Sequence, residues 1–315
     1  MTPEPPVLLR CAGRTVARYT TRPDLAPGHA PRPHLHPVTT LAGRVVTETL
    51  PHDHPHHLGA GIAVADVDGR NFWGGRTFVR DRGPVELDNH GVQRHDGFKL
   101  CDPDGFVEEL SWIAGGERLL REHRTVAATA LTDSAWALDL TFSLTNTSGR
   151  DLSLGSPATN GRPGAAYGGF FWRAPKETAP PTAFGPDGGG GGGGSGASSS
   201  GAGGAGAASG PGTGAAASGP DTDGEAAVHG FTADWVALAG EDWTLVFAGA
   251  TARTRSDPWF VRAAEYPGVG SSLAHAGRLA VPAGETLVRR VVTVVADGRL
   301  DRSGAAALVR RAVAP

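Results

Sequence analysis

Residues 136–147 carry the sequence WALDLTFSLTNT, and this stretch decides the class of fold. Its large apolar residues recur at every second position, at Leu138, Leu140, Phe142 and Leu144. Because the side chains of a β-strand alternate between its two faces, this spacing predicts a strand with one face buried. The stretch therefore favours a sheet and not a helix.

Segments of the same kind lie on both sides of this strand. They are rich in Val, Thr, Leu, Ile and aromatic residues and are bounded by turn-forming pairs such as Asp68-Gly69. The predicted strands are GRVVTETL (43–50), GAGIAVADV (59–67), WVALAG (235–240), WTLVFAGA (243–250) and ETLVRRVVTVVA (285–296). One helix is predicted, in residues 304–314, with Asp301 or Ser303 as its cap. We therefore predict an all-β fold, a large antiparallel β-sandwich with a short C-terminal helix.

One tract departs from this pattern. Residues 185–220 are almost entirely Gly, Ala, Ser and Pro, a composition that buries too little apolar surface to offset the entropy of ordering. Closing even a long loop costs little free energy, so such a tract can interrupt a domain without dividing it. We predict that residues 1–315 form a single β-sandwich domain interrupted by a disordered insertion at 185–220.

Composition excludes several classes of function. The chain has 29 basic and 32 acidic residues, a net charge of −3 and no basic stripe, which argues against nucleic acid as a partner. Neither a membrane-spanning run nor a signal peptide is present, so we expect no membrane partner and a cytoplasmic location. No phosphate-binding glycine motif occurs, so we expect no nucleotide cofactor. Cys11 and Cys101 form no C-x-x-C pair, so we predict neither a disulfide framework nor a structural zinc site.

Histidines are concentrated in one part of the sequence. Eight of the twelve lie between His34 and His95, in three groups at 32–37, 51–59 and 87–95. Neutral imidazole is the commonest ligand of divalent transition metals, and a carboxylate such as Asp53 would fix its tautomer. A metal-free pocket of histidines and arginines that moves a proton at carbon is an alternative use. A solvated loop with adventitious metal affinity is a third.

A second group of candidates combines arginines with aromatic residues. Arg162 and Arg173 lie in glycine-rich surroundings beside Tyr167 and Trp172, and Trp73 lies in a similar setting. Aromatic faces suit a sugar ring and guanidinium groups suit its oxygens, so the pattern indicates a polyhydroxylated or carboxylated ligand. The alternative is that the aromatic residues belong to the core and the arginines to an ion-paired rim.

Five ordered blocks together resemble a bacterial family known as PmoA-like, or DUF6807. They are RPHLHP (32–37), DHPHHLG (53–59), NFWGG (71–75), LDNHGVQRH (87–95) and residues 154–173. The resemblance implies a fold similar to the galactose-mutarotase supersandwich and a role in carbohydrate catabolism. The family's name implies a methane oxygenase subunit, which a chain without a spanning segment does not support. The family pattern also ranks His34 behind His36, and His56 behind His54 and His57.

The leading hypothesis is an enzyme that transfers a proton at carbon in a sugar or oxidised sugar, as an epimerase or lyase. A non-catalytic carbohydrate-binding or sensing module is the alternative, and an oxygenase subunit is the least favoured. The expected partner is a small-molecule carbohydrate, and the expected cofactor is one divalent metal ion (Zn, Mn or Fe). The predicted acid–base residues are His54, His57, His90 and His95. The predicted metal ligands are His36, His54, His57 and His90. The predicted substrate-binding residues are Arg32, Trp73, Arg162, Tyr167, Trp172 and Arg173.

Overall fold

A computed structural model describes residues 5–186 and 223–314. Apart from its first two residues, the predicted insertion at 185–220 lies outside these ranges. Two large sheets, in which every strand pair is antiparallel, account for most of the described chain. The predicted all-β class is therefore confirmed.

The first sheet has seven strands and the second has eight. In spatial order the first contains β1 (Val7–Cys11), β2 (Arg14–Thr20), β3 (His34–Val38), β4 (Ala60–Val64), β13 (Gly168–Arg173), β18 (Gly268–Ser271) and β17 (Trp259–Arg262). The second contains β14 (Thr182–Phe184), β15 (Trp235–Ala239), β16 (Trp243–Gly249), β20 (Thr286–Asp297), β11 (Ala135–Asn146), β10 (Glu117–Thr132), β9 (Gly105–Ala114) and β8 (Val92–Asp102). In both sheets, strands that precede residues 187–222 pair with strands that follow them.

The remaining elements are small. A three-stranded sheet joins β19 (Leu279–Val281), β12 (Leu152–Gly155) and β5 (Asp66–Val67), and a hairpin joins β6 (Thr77–Val79) to β7 (Gly83–Val85). The helices are a 3-10 turn (Pro27–His29), α1 (Glu225–Val228), α2 (Ala252–Arg255) and α3 (Arg302–Ala312). The side chain of Asp301 accepts a hydrogen bond from the Gly304 amide, so the predicted capped helix is confirmed. In the described part of the chain, no helix is long and apolar enough to cross a bilayer.

The alternation in β11 produces the main core between the two large sheets. Leu138, Leu140, Phe142 and Leu144 are all buried and belong to one apolar cluster that also draws residues from the first sheet. Each such side chain contributes roughly 1.5–3 kcal/mol when it is fully removed from water. The period-two pattern in the sequence therefore sets which face of the second sheet meets the first.

One predicted strand is wrong. Residues 43–50 form only isolated bridges, Thr39 with Val45 and Thr49 with Leu58. The Glu48 amide donates to the carbonyl of Arg173 and the Leu50 amide, two residues later, donates to that of His57, so the amides of this stretch bond to different segments. The residues have strand-forming composition, but no single neighbouring strand pairs with them.

A buried arginine lies within the core between the sheets. Arg124, on β10, is fully buried, and its guanidinium donates to both carboxylate oxygens of Glu122 at 2.7 and 3.0 Å. It also donates to the Tyr19 hydroxyl at 2.9 Å and to the Gln93 side-chain oxygen at 3.1 Å. A buried charge is tolerated only when it is paired and hydrogen-bonded in this way.

We expect Arg124→Leu to lower the free energy of unfolding by about 3–5 kcal/mol, because Glu122 would remain buried without a cation. Urea or guanidinium denaturation at neutral pH measures this difference. Arg121→Leu is the matched control, since Arg121 lies exposed on the same strand and should change stability by less than about 0.5 kcal/mol. If Arg124→Leu lowers the free energy of unfolding by less than about 1 kcal/mol, Arg124 is not the cation on which buried Glu122 depends.

Candidate functional site

A pocket of about 460 Å³ lies beside strands β4, β13, β18 and β17 of the first sheet. Five separate segments form its walls: the loop before β4, the loop between β5 and β6, the end of the β6–β7 hairpin, the segment before β13, and β17 with the turn that follows it. Its lining includes His54, His57, Trp73, Arg162, Tyr167 and Tyr266. The volume lies within the range typical of small-molecule sites.

The pleat of β13 separates this pocket from the main core. Phe170 and Trp172 belong to the main core cluster, whereas Phe171 belongs to a smaller cluster with Trp73 and Tyr266. Because neighbouring residues of a strand point to opposite faces, one face of the sheet supports the core and the other supports the pocket. Trp172 is fully buried, and its indole NH donates to the Val46 carbonyl. The structure thus places Trp172, a predicted substrate-binding residue, away from the pocket.

Tight turns hold three imidazole rings together in the loop before β4. The His54 amide donates to the Pro51 carbonyl, and the His57 amide donates to the His54 carbonyl. The rings of His54 and His57 are stacked, with centroids 4.7 Å apart, and His56 meets His57 edge-on at 4.9 Å. These turns therefore place His54, His56 and His57 on one wall of the pocket.

Burial keeps the deeper imidazoles neutral. It lowers the pKa of His56 to about 3, with further lowering by the positive charge of Arg32. Burial also lowers the pKa of His57 well below its ordinary value, and the neighbouring imidazoles and Arg173 act in the same direction. Neutral imidazoles can accept a proton or a hydrogen bond from a ligand.

The loop after β5 packs against these rings because it contains two glycines. Gly75 has φ +68°, and a Cβ atom there would lie 2.8 Å from the ring of His56. Any residue with a side chain would therefore be strained and would push His56 out of place. The Gly-Gly pair of the NFWGG block thus allows Trp73 to lie beside the histidines.

Arg173 lies beneath Tyr266 and His57. Its side chain is fully buried, and its Nε donates to Glu48 at 3.0 Å. The guanidinium carbon is 4.6 Å from the centre of the Tyr266 ring, a cation–π distance. One of its nitrogens lies 3.4 Å from His57 Nδ1, and because arginine can only donate, the His57 proton belongs on Nε2.

Asp53 connects the histidine loop to the segment after β13. Its carboxylate accepts a hydrogen bond from Lys176 at 2.9 Å and lies 3.6 Å from Arg173. Although burial raises the pKa of Asp53, the bond from Lys176 and the charge of Arg173 bring it down to about 2. Asp53 is therefore an anion at neutral pH and holds the loop against the sheet.

An aromatic wall faces the pocket next to Arg162. The rings of Trp73 and Tyr167 lie 4.4 Å apart, and Tyr167 meets Phe260 edge-on at 5.4 Å. Burial raises the pKa of Tyr167, and a hydrogen bond with Arg162 lowers it in part. Arg162 itself is exposed, and no carboxylate of the described residues lies within ion-pair distance of it. The wall thus combines apolar faces with an unpaired cation.

Arg32, a predicted substrate-binding residue, lies behind the pocket wall. It is buried and donates to four carbonyl oxygens, among them those of His56 at 2.8 Å and Trp73 at 3.0 Å. Burial lowers its pKa to about 9, with a smaller effect from the charge of Arg124. Its contacts fix the backbone of two pocket segments to each other.

Three predicted histidines also lie outside the pocket lining. His36 bonds the Thr47 hydroxyl at 3.0 Å, and His90 bonds the Gly75 carbonyl at 2.8 Å behind the pocket wall. His95 is buried in the core, where its Nδ1 lies 2.5 Å from Glu108. Their predicted catalytic and metal-binding roles stay predictions and do not enter the proposal below.

The predicted metal ligands do not converge on one point. Across residues 5–186 and 223–314, no group of three or more His, Cys, Asp or Glu side chains is arranged to hold a metal ion. The rings of His54 and His57 are stacked, with centroids 4.7 Å apart and an angle of 21° between their planes. Nearly parallel rings do not direct their nitrogen lone pairs at a shared metal ion. No step of the proposed chemistry is therefore assigned to a metal.

Sequence reasoning overlooked four pocket residues on the β17–β18 hairpin: Phe260, Arg262, Glu265 and Tyr266. Tyr266 lies in the turn and Arg262 at the end of β17, where its guanidinium stacks over Phe260 at 4.6 Å and bonds Glu225. Burial, with the nearby Tyr167 hydroxyl, raises the pKa of Tyr266. A polar aromatic residue beside Pro267 in a short loop between strands was the available signal, since binding residues concentrate on such loops.

The depressed pKa of His56 predicts acid sensitivity. Between its ordinary value of 6.5 and the folded value of about 3, the unfolded chain binds a proton at this residue that the folded chain does not. The contribution of His56 to the free energy of unfolding is therefore largest above pH 6.5. It falls by up to about 1.4 kcal/mol for each pH unit of acidification below that value.

We expect His56→Gln to give a shallower decline in the free energy of unfolding between about pH 6 and pH 4 than wild type. Denaturant titrations at several pH values measure the slope. His52→Gln, at an exposed position of the same loop, should keep the wild-type slope. Parallel curves for wild type and His56→Gln would show that His56 is not buried as a neutral group.

Comparison of this chain with known proteins identifies the family to which it belongs. A search of curated proteins found no match to the chain. One solved structure with partial similarity is a heparinase III with methylated lysines, at 11% identity and a TM-score of 0.23, covering 70% of this chain and 23% of that one. The chain thus spans about a quarter of that protein's length. The model of the family of unknown function DUF6807 matches residues 6–310, and the chain therefore belongs to that family.

Proposed function

We propose that the pocket binds a sugar or oxidised sugar and transfers a proton at one of its carbon atoms, as an epimerase or lyase. The observation that supports this most directly is the position of His54. Its ring lines the pocket, 4.8 Å from Tyr266, and the pocket's other wall is aromatic. A general base must reach the proton it removes in a pocket that also orients the substrate.

The aromatic faces and Arg162 favour a carboxylated sugar among such ligands, in a lining that also contains three carboxylates (Asp53, Glu86 and Glu265). Trp73 and Tyr167 offer ring faces for the apolar side of a sugar, and Arg162 offers a guanidinium that no described carboxylate neutralises. A proton next to a carboxylate is acidic enough to remove only if the developing negative charge is stabilised, which a positioned cation achieves. The predicted likeness of the fold to the galactose-mutarotase supersandwich points to the same class of ligand.

We expect the protein in D2O to exchange deuterium into one specific C–H bond of glucuronate, galacturonate or their glycosides. NMR measures this exchange. His54→Gln should slow this exchange by about 10²–10⁴-fold, the usual contribution of a general base. His52→Gln, exposed in the same loop, is the control and should exchange at the wild-type rate.

Two other results would decide against this proposal. Saturable sugar binding without any exchange would favour the alternative, a non-catalytic carbohydrate-binding module. Equal exchange in wild type and His54→Gln would remove His54 from the chemistry.

A metal-assisted form of the reaction is a separate proposal and needs its own measurement. Elemental analysis of protein purified without a His-tag would compare wild type with the double variant His54→Ala/His57→Ala. Stoichiometric Zn, Mn or Fe that is lost in the variant would support a metal, and substoichiometric metal in both would support metal-free acid–base chemistry. The cytoplasmic location and the role in carbohydrate catabolism stay predictions.

A further inference from the structure

Tyr266 differs from the other two tyrosines in what its hydroxyl contacts. The Tyr19 hydroxyl bonds Glu108 and Arg124, and the Tyr167 hydroxyl bonds Arg162. The Tyr266 hydroxyl makes no hydrogen bond with any other residue that the structure describes, yet the residue lines the pocket. It is therefore available to a ligand.

The ring of Tyr266 packs against three side chains, although its hydroxyl has no hydrogen-bond partner among the described residues. It packs on the buried guanidinium of Arg173 at 4.6 Å, and the rings of His54 and His57 lie 4.8 and 5.2 Å away. Glu48 fixes Arg173 from below through a hydrogen bond of 3.0 Å. A group fixed in this way contributes to catalysis without a further cost in ordering.

Tyr266 and His54 lie on the same side of any bound sugar. Two groups that act on opposite faces of one carbon each approach it to about 3–3.5 Å, with the sugar between them. The rings of His54 and Tyr266 are 4.8 Å apart, which leaves no space for a sugar between them. Epimerisation by this pair, with proton removal on one face and return on the other, is therefore geometrically disfavoured.

We propose that Tyr266 is a catalytic proton donor and that the reaction is a same-face β-elimination from a 4-linked uronate, a proposal that rests on the proposed function above. His54 takes the proton from the carbon next to the carboxylate. The C–H electron pair forms a carbon–carbon double bond as the neighbouring carbon–oxygen bond breaks. The departing oxygen receives the phenolic proton of Tyr266, and the proton on His54 returns to the phenolate through solvent. No oxidant, reductant or other reactant is consumed.

A tyrosine hydroxyl suits this role, since it carries its proton at neutral pH and can release it to a developing alkoxide. The positive charge of Arg173 beneath the ring stabilises the phenolate that forms. Arg173 does not line the pocket, so it acts as a positioning residue, and Tyr266 is the group that meets the substrate.

The test uses oligogalacturonate, glucuronan and alginate oligosaccharides in D2O, with two readouts on the same sample. Ultraviolet absorbance follows the unsaturated uronate, and NMR follows deuterium in the recovered substrate. We expect wild type to form the unsaturated product. Tyr266→Phe should form it about 10²–10⁴-fold more slowly while still exchanging deuterium at carbon, and His54→Gln should lose both activities.

Two comparisons separate catalysis from folding and binding. Tyr266→Phe removes a hydroxyl without a described protein partner, so its thermal unfolding midpoint should match wild type. Tyr167→Phe, which removes a hydroxyl bonded to Arg162, should raise KM more than it lowers kcat.

The outcomes distinguish this inference from the proposed function. Unsaturated product at the wild-type rate in Tyr266→Phe overturns the assignment of Tyr266. Deuterium exchange and an epimer without unsaturated product overturn the elimination but leave proton transfer at carbon standing. If wild type shows no deuterium exchange and no elimination with any of the three substrates, the result contradicts the proposed function itself.

Discussion

The pleat of β13 is the constraint on which the rest of the structure depends. Phe170 and Trp172 point to the face that meets the second sheet, while Phe171 lies on the opposite face beneath the pocket. Arg173 follows with its guanidinium under Tyr266. A shift of one residue in register would turn Phe170 and Trp172 toward the pocket and would place the Arg173 cation in the apolar core. The position of the pocket and the stability of the sandwich therefore have one common cause.

Buried arginines shape the electrostatics on both sides of this sheet. Arg124 is matched with a carboxylate in the core, whereas Arg32 is surrounded by carbonyl oxygens behind the pocket. Burial and the positive charge of Arg32 together disfavour protonation of His56 and His57. The pocket thus presents two neutral imidazoles, those of His56 and His57, and a tyrosine, Tyr266, whose pKa burial raises. Proton transfer at carbon requires a base and an acid side by side, and the ring of His54 lies 4.8 Å from that of Tyr266.

Sequence alone predicted the fold better than the site. Strand-forming composition identifies β15, β16 and β20, and period-two patterning identifies β11, because both are local properties of the chain. Composition fails at residues 43–50, since whether a strand-like segment finds a partner depends on distant residues. The histidine loop was visible as a local cluster. The burial of His95 in the core depends on how two sheets pack, and Tyr266 joins the pocket from far along the chain.

The most direct test of the account is a crystal structure of Tyr266→Phe with a bound uronate oligosaccharide. We expect the carboxylate at Arg162 and the sugar ring against Trp73 and Tyr167. The carbon next to the carboxylate should lie about 3–3.5 Å from a ring nitrogen of His54, the separation of a reactive complex. A sugar bound elsewhere on the protein, or bound in the pocket with that carbon turned away from His54, would contradict the central claim that this pocket performs proton transfer at carbon.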